Sequence, residues 1–343
     1  MSRNLACLEW KYESNPYLPE PLVYLALHEG RVVGMRGMVG SCWEAGPDSE
    51  RFVVPCAEDL VIAPGHRNRG LVGRIMRAAY ADLASRGYPV SLSLTAAAVT
   101  LAASLADGWR AVGSVGDMSR IARPDSWRWR LGSRMFGWRV AWRAARLVSH
   151  GWRPFRHLDE HVRHPAEGRA ITVTLEPRPD SMADLVRRLG HDGRIRHVRD
   201  PEYFAWRFKC PIRSYRFLWA EGDRLEGYLV LAAGWTGAQS RVNIADWEAT
   251  GQPVRLALLR AATEWGRFAE MGAWTFGLPE ESESMLRDAG FAQVSRQRLV
   301  RDGPMVLVRS VVPPPPPGGP RLGPLALMDR PNWDLRMLYS MAG

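Results

Sequence analysis

Cysteine is scarce in this chain, and long apolar runs are absent. The four cysteines, Cys7, Cys42, Cys56 and Cys210, are too few and too scattered for a disulfide framework or a Cys-x-x-Cys zinc site, so a reducing cytoplasm and no metal are expected. No apolar stretch approaches the roughly 20 residues of a membrane-spanning helix, and the opening MSRNLACLEWKYES lacks the apolar run of a secretory leader. Two familiar phosphate-binding patterns are missing too: neither the Walker loop nor the three-glycine dinucleotide fingerprint occurs.

What is present is globular material with uneven charge. The 343 residues are 46% hydrophobic and 24% charged, enough for two cores of ordinary size. Much of the net charge of +10 lies in residues 123–156, which hold nine arginines and one acid, Asp125. There Trp127, Leu131, Met135, Trp138 and Trp142 recur at helical spacing, while Arg139, Arg143 and Arg146 share another face. Such a helix could pack between two domains, make peripheral contact with an anionic membrane, or meet nucleic acid. The first reading is favoured and nucleic acid is not expected, because the excess charge nearly vanishes without this segment.

Residues 59–74, DLVIAPGHRNRGLVGR, carry the chemistry. They read as a buried strand ending at Pro64, a sharp turn and the opening of a helix. The first amides of that helix lack internal partners and point forward, where an anion satisfies them best. Gly70 allows positive φ or close approach, and Arg67, Arg69 and Arg74 add fixed charge, so a pyrophosphate is the expected guest.

This turn resembles that of the GNAT superfamily, the acyl-coenzyme A-dependent N-acyltransferases, whose signature is strand, Pro, two residues, then Arg/Gln-x-x-Gly-x-Gly/Ala. Pro64, Arg67 and Gly70 match; Val72 replaces the last small residue, with Gly73 one place later. The order of elements over about residues 5–122 matches as well: a hairpin turning at Glu29-Gly30-Arg31, the strand and turn, a helix from Leu71, a strand at 88–95, a helix, and Gly108-Trp109 where the family has Gly-Phe. The resemblance implies that acetyl-coenzyme A binds at Arg67, Asn68, Arg69, Gly70, Leu71, Val72, Gly73 and Arg74, with the thioester against the main chain of Leu60, Val61 and Ile62. It implies transfer to an amine of a small-molecule, amino-sugar or peptide acceptor. The general acid of the family is a Tyr four residues before the Gly-aromatic pair, with an Asn seven before that; here Ser104 and Ala97 stand there. His66 reads as a surface residue.

An internal repeat runs through the chain. Trp10-Lys11-Tyr12 recurs as Trp206-Arg207-Phe208, EGRVVG (29–34) as EGDRLEG (221–227), MRAAY (76–80) as LRAAT (259–263) and LADGWRAVGS (105–114) as LRDAGFAQVS (286–295). The expected fold is therefore α/β (α+β): two tandem GNAT-like units at 1–122 and 166–312, each a mixed, mostly antiparallel sheet flanked by helices. The basic Trp-rich segment 123–165 joins them, and a Pro-rich spacer and docking tail (313–343) follow. Similar two-unit proteins occur in bacterial polysaccharide and envelope gene sets. The second unit has only Arg255 after its equivalent strand and is expected to lack coenzyme A. It opens with an extra strand and helix (171–190) that the first unit does not have.

For the base, Glu58 and Asp59 are adjacent on the strand before the turn, where only one can face a cleft. Asp59 is preferred, its counterpart in the second unit being Asp246. A non-catalytic scaffold of the same fold is the alternative; an aminoacyl-tRNA-dependent peptidyl transferase is disfavoured by the cationic turn, which it would not need.

Overall fold

The computed structural model describes residues 3–96, 98–121, 163–166, 169–234, 241–265, 270–293, 304–312 and 318–341. The expectations that concern the stretch 123–156, the prolines 313–317 and Ala97 lie outside the described residues.

Helix α1 (Arg3–Leu8) runs into one π-type turn at Glu9–Glu13, which buries Trp10, Lys11 and Tyr12. Strands β1 (Leu22–His28) and β2 (Arg31–Ala45) form the expected hairpin. Its turn residues Glu29 and Gly30 both have positive φ, 51° and 73°, the signature of a tight two-residue connection. Strand β3 (Glu50–Ile62) pairs antiparallel with β2, and a 3-10 turn at Pro64–His66 re-aims the chain into α2 (Leu71–Ser85). Helix α2 buries Ile75, Met76, Ala79, Tyr80 and Leu83, one stripe at helical spacing, and ends before Gly87 at φ 81°. It crosses to β4 (Val90–Ala96), parallel to β3; α3 (Ala98–Ala106), β5 (Arg110–Ser114) and β6 (Met118–Ile121) follow.

The order then recurs with an additional opening. Strands β7 (Arg163–Ala166) and β8 (Arg169–Thr174) lead to α4 (Pro179–Leu189), β9 (Arg196–His197) and α5 (Pro201–Arg207). An antiparallel meander of β10 (Arg213–Glu221), β11 (Leu225–Gly234) and β12 (Arg241–Ala249) is followed by α6 (Gln252–Trp265), the parallel strand β13 (Glu270–Ala273), α7 (Glu280–Asp288), β14 (Ala292–Gln293) and β15 (Met305–Ser310).

The sheets exchange strands. One runs β1-β2-β3-β4-β15-β5, with β9 added to β2; the other runs β14-β6-β13-β12-β11-β10-β8-β7. Strand β15, from late in the chain, lies between β4 and β5, with Val308 opposite both Leu92 and Arg110. Strand β6, from the first half, lies between β13 and β14, with Ser119 opposite both Gly272 and Ala292. The spans 1–122 and 166–312 thus trade their last strands, and neither sheet is built from one span alone.

A shared core lies between the sheets, taking Trp43 and Leu92 from one, Phe217 and Tyr228 from the other, and Trp333 and Leu338 from the tail. At its centre Trp10 stacks on Trp206 with ring centroids 4.9 Å apart. Each indole N–H donates to the other residue's main-chain carbonyl, at 2.8 and 2.9 Å. These are the repeat's equivalent tryptophans, so an approximate two-fold axis passes between them.

With strands exchanged and one core shared, unfolding is expected as a single transition, and Trp10→Ala to cost about 3–5 kcal/mol. Urea denaturation followed by circular dichroism and tryptophan fluorescence checks this; two separated transitions would show independent halves.

Candidate functional site

The parallel strands β3 and β4 share one ladder position, Cys56 opposite Leu92, and pair nowhere beyond it among the described residues. No strand among the described residues therefore pairs with the main chain of Leu60, Val61 and Ile62 on that side, at the carboxyl end of parallel strands where α/β sheets bind ligands. A bulge marks the opening. Met35 faces Val61 and Gly37 faces Glu58, so Asp59 and Leu60 stand opposite Arg36 alone, with Asp59 at φ 48°.

The turn after β3 has the expected form. Asn68 and Gly70 both adopt positive φ, 59° and 69°, and a Cβ on Gly70 would meet nothing, so the glycine serves the backbone and leaves the space before the helix open. The first bond within α2 runs from the Arg74 amide to the Gly70 carbonyl, leaving the amides of Leu71, Val72 and Gly73 without a helical partner. Arg67, Arg69 and Arg74 are exposed and form no ion pair among the described residues; Arg67 Nε donates to the Ile62 carbonyl at 3.2 Å, which steadies the turn. Uncommitted cations around unsatisfied amides suit an anion.

The two acids separate. Asp59 is engaged: its Oδ2 accepts from Lys11 Nζ at 2.7 Å and from the Tyr12 hydroxyl at 2.6 Å. A Cβ on Gly37 would lie 1.9 Å from the Tyr12 oxygen, so only glycine lets the ring cross β2 to reach that carboxylate. Glu58 instead lines a narrow cleft together with Cys56 and Leu94. Burial pushes its carboxyl up to about 7, Asp59 adding to the effect while Lys11, Arg36 and Arg207 oppose it. The bulge is what divides them, because it breaks the alternation of the strand at Asp59.

Both halves of the chain wall the cleft. The first sheet gives Cys56, Glu58 and Leu94, the second half gives His197, Tyr203 and Trp206, and the tail gives Tyr339 and Met341. His197 is no base: burial pushes it down to about 3, its Nδ1 lies 2.6 Å from the Val198 carbonyl, and its Nε2 accepts from the Cys42 amide. His66 lies beside His28, with ring centroids 5.0 Å apart. Ser104 sits in the last turn of α3, its carbonyl accepting from the Trp109 amide. Sequence reasoning missed Lys11 and Tyr12 as site residues and most of the cleft wall. The repeated Trp-Lys-Tyr motif was the available signal.

The equivalent place in the second sheet is arranged differently, with a guanidinium from the tail on its carboxylates. Asp246, the counterpart of Asp59, is buried, and a bulge adds Ala245 between the pairs Val230–Asp246 and Leu231–Ile244. The tail's Arg336 enters here. It pairs with Asp246 at 2.8 Å, Glu248 at 2.7 Å and Asp334 at 3.1 Å, and also donates to the Trp247 carbonyl. Burial alone would raise Asp334, but Arg336 and Arg199 hold it well below the usual carboxylate range. With Arg199 also on Glu248 at 2.8 Å, the protein's own guanidinium groups engage the carboxylates of the second wedge, beside a pocket lined by Ala273, Trp274 and Leu278.

No family model matches the sequence, and no curated protein resembles it closely enough to match. Solved structures do. A GCN5-related N-acetyltransferase from Anabaena variabilis superposes with a TM-score of 0.51 at 14% identity, over 84% of this chain and 62% of that one. A conserved protein of unknown function from Enterococcus faecalis, described as a probable N-acyltransferase, superposes with a TM-score of 0.53 at 11% identity, over 90% of this chain and 69% of that one. The fold is that of the GCN5-related N-acetyltransferases. This chain spans less than two thirds of the length of the Anabaena protein. Among the described residues no helix is long and apolar enough to cross a membrane, and no cluster of three or more metal-ligating side chains occurs.

The raised Glu58 carboxyl has a stability signature. A folded-state value near 7 against an ordinary 4.5 means that ionisation is disfavoured in the fold, so the cost is absent below pH 4.5, grows up to pH 7 and is constant above it. Glu58→Gln is expected to gain stability over the wild type between pH 5 and pH 8.5, by at most about 3 kcal/mol. Urea melts at the two pH values measure it, and an equal difference at both would contradict the desolvation of Glu58.

Proposed function

We propose that this chain is an N-acyltransferase that uses an acyl-coenzyme A, acetyl-coenzyme A first among them, to acylate an amine held between the two sheets. One observation carries the reading: at the end of β3, an uncommitted cationic turn and a helix N-terminus adjoin an open strand wedge, next to a cleft-facing carboxyl that titrates near neutrality. Arg67, Arg69 and Arg74 with the amides of Leu71, Val72 and Gly73 would hold the pyrophosphate, Asn68 and Gly70 would shape the turn, and the main chain of Leu60, Val61 and Ile62 would meet the thioester end. The coenzyme supplies an activated acyl group there.

Glu58 takes the ammonium proton of the acceptor, its pKa being matched to neutral solution. Asp59 is a positioning residue, holding the bulge through Lys11 and Tyr12. The second half supplies the far wall and binds no coenzyme, since its turn offers Arg255 alone and that guanidinium lies 3.7 Å from Glu248. The cleft lining holds one carboxylate and no lysine or arginine, which favours an amine with an apolar or aromatic body over one bearing its own carboxylate or phosphate. A cytoplasmic location belongs to the same proposal. The non-catalytic reading rests on Ser104, which offers no phenol where the family has its acid.

Calorimetry is expected to give one acetyl-coenzyme A per chain, with Arg67→Ala plus Arg69→Ala weakening binding by about 2–5 kcal/mol; unchanged affinity would remove the site. Glu58→Gln should keep binding, lower turnover roughly 10²- to 10⁴-fold and abolish the rise of kcat/KM around neutral pH. Asp59→Asn should keep that rise. If Asp59→Asn removes it and Glu58→Gln does not, the base is Asp59; if neither matters and no amine is acylated, the scaffold reading leads. A matched pair tests the acceptor: 2-phenylethylamine should exceed phenylalanine in kcat/KM by at least about tenfold, because only the latter brings a second carboxylate beside Glu58.

A further inference from the structure

Internal duplication gives each position of the first sheet a reference in the second. The outer edge of β10 is paired antiparallel by β8, with Phe217 opposite Thr174 and Ala220 opposite Ile171. Helix α4 covers the neighbouring face, its buried Met182 and Leu185 lying in one cluster with Phe217, Trp219 and Tyr228. Counted back from the equivalent turn residues Glu29 and Glu221, Leu25 corresponds to Phe217 and Leu27 to Trp219. Phe217 is 1% and Trp219 0% exposed, whereas Leu25 is 52% and Leu27 65% exposed.

The exposed positions form a patch. Leu25 faces Met35, Met35 faces Val61 and Leu27 faces Val32, and cross-strand partners point to the same side. The reverse side packs on α2, since a Cβ on Gly34 would lie 3.0 Å from Ile75. Strand β1 pairs with no strand but β2 among the described residues. Its sequence, LVYLALH, carries no Lys, Arg, Asp, Glu or Pro, the residues that normally keep an exposed edge from pairing.

We propose that this edge and its apolar row are the interface between two copies of the chain. A two-fold axis at Leu25 sets β1 antiparallel to β1 of the other copy, the same sense in which β8 closes the equivalent edge. Val23 of each chain then faces Leu27 of the other, and the apolar rows become continuous across the axis. Glu20, before the strand and reached at 3.3 Å by Arg86 of its own chain, comes alongside the exposed Arg31 that follows it, so the ends are complementary in charge. The inference stands apart from the catalytic reading, since the only residue common to both is Val61, which lends its side chain to the row and its main chain to the coenzyme site.

Sedimentation velocity on the full chain over a wide concentration range tests it. The wild type is expected to reach a dimer, and Leu25→Lys plus Leu27→Lys, both at exposed positions, to remain monomeric with an unchanged circular dichroism spectrum. Glu20→Arg should weaken the dimer, and adding Arg31→Glu should restore it, a rescue that a merely misfolded variant would not give. A wild type that stays monomeric overturns the proposal, and so does a dimer indifferent to both sets of substitutions. A monomer that cosediments with anionic vesicles and loses that binding in the Leu25 and Leu27 variant overturns it in favour of a lipid surface.

Discussion

The stacked tryptophans Trp10 and Trp206, each indole donating to the carbonyl of the other, are the point about which the molecule is arranged. A buried indole N–H needs an acceptor, and here each ring finds one only if the other adopts the equivalent position. That mutual requirement fixes an approximate two-fold relation, and the exchange of β6 and β15 extends it into both sheets. From the same pivot the neighbouring residues diverge. Lys11 reaches the carboxylate of Asp59 as a point charge, while its counterpart Arg207 uses a planar fork on the carbonyls of Leu338 and Ser340 and the hydroxyl of Tyr215. Tyr12 gives Asp59 a hydroxyl that Phe208 cannot offer; Tyr228 does that for Asp246.

Symmetry of fold therefore coexists with asymmetry of use. The two strands that lead into the turns before α2 and α6, β3 and β12, both carry a bulge beside an aspartate. In β3 the wedge stays open, and the cations at its mouth form no ion pair among the described residues. In β12 the wedge receives Arg336, and the desolvation of Asp246, Glu248 and Asp334 is offset by guanidinium groups from Arg199 and Arg336. Removing one cation from such a cluster is worse than never having built it, because the remaining carboxylates cannot regain water. The tail that supplies Arg336 continues to Tyr339 and Met341 on the cleft wall, so one segment touches both the second wedge and the cleft.

What the sequence disclosed was local or repetitive. The Glu29-Gly30 turn, the stripe of α2 and the left-handed Gly70 follow from a few neighbouring residues, and the repeat was legible because equivalent motifs occur in one order. The exchange of strands was not, since β6 and β15 have the same period-two pattern whichever sheet they join. The choice between Asp59 and Glu58 depended on a register slip opposite Arg36, and alternation cannot reveal the residue at which it fails. Lys11 and Tyr12 lie 48 and 47 positions from the carboxylate they hold, too far for spacing to connect them.

The insertion of β15 between β4 and β5 also orders events in time. Those two strands leave the ribosome with a gap between them that only residues 305–310 can fill. Until nearly the whole chain has been made, the first sheet has two unpaired inner edges, exposed in the way that invites association with other nascent chains. Closing it requires contact between segments about two hundred residues apart in sequence, and such closure is slow because its entropy is lost before any pairing compensates. The half that carries the cationic turn is thus the first to be synthesised and among the last to be finished.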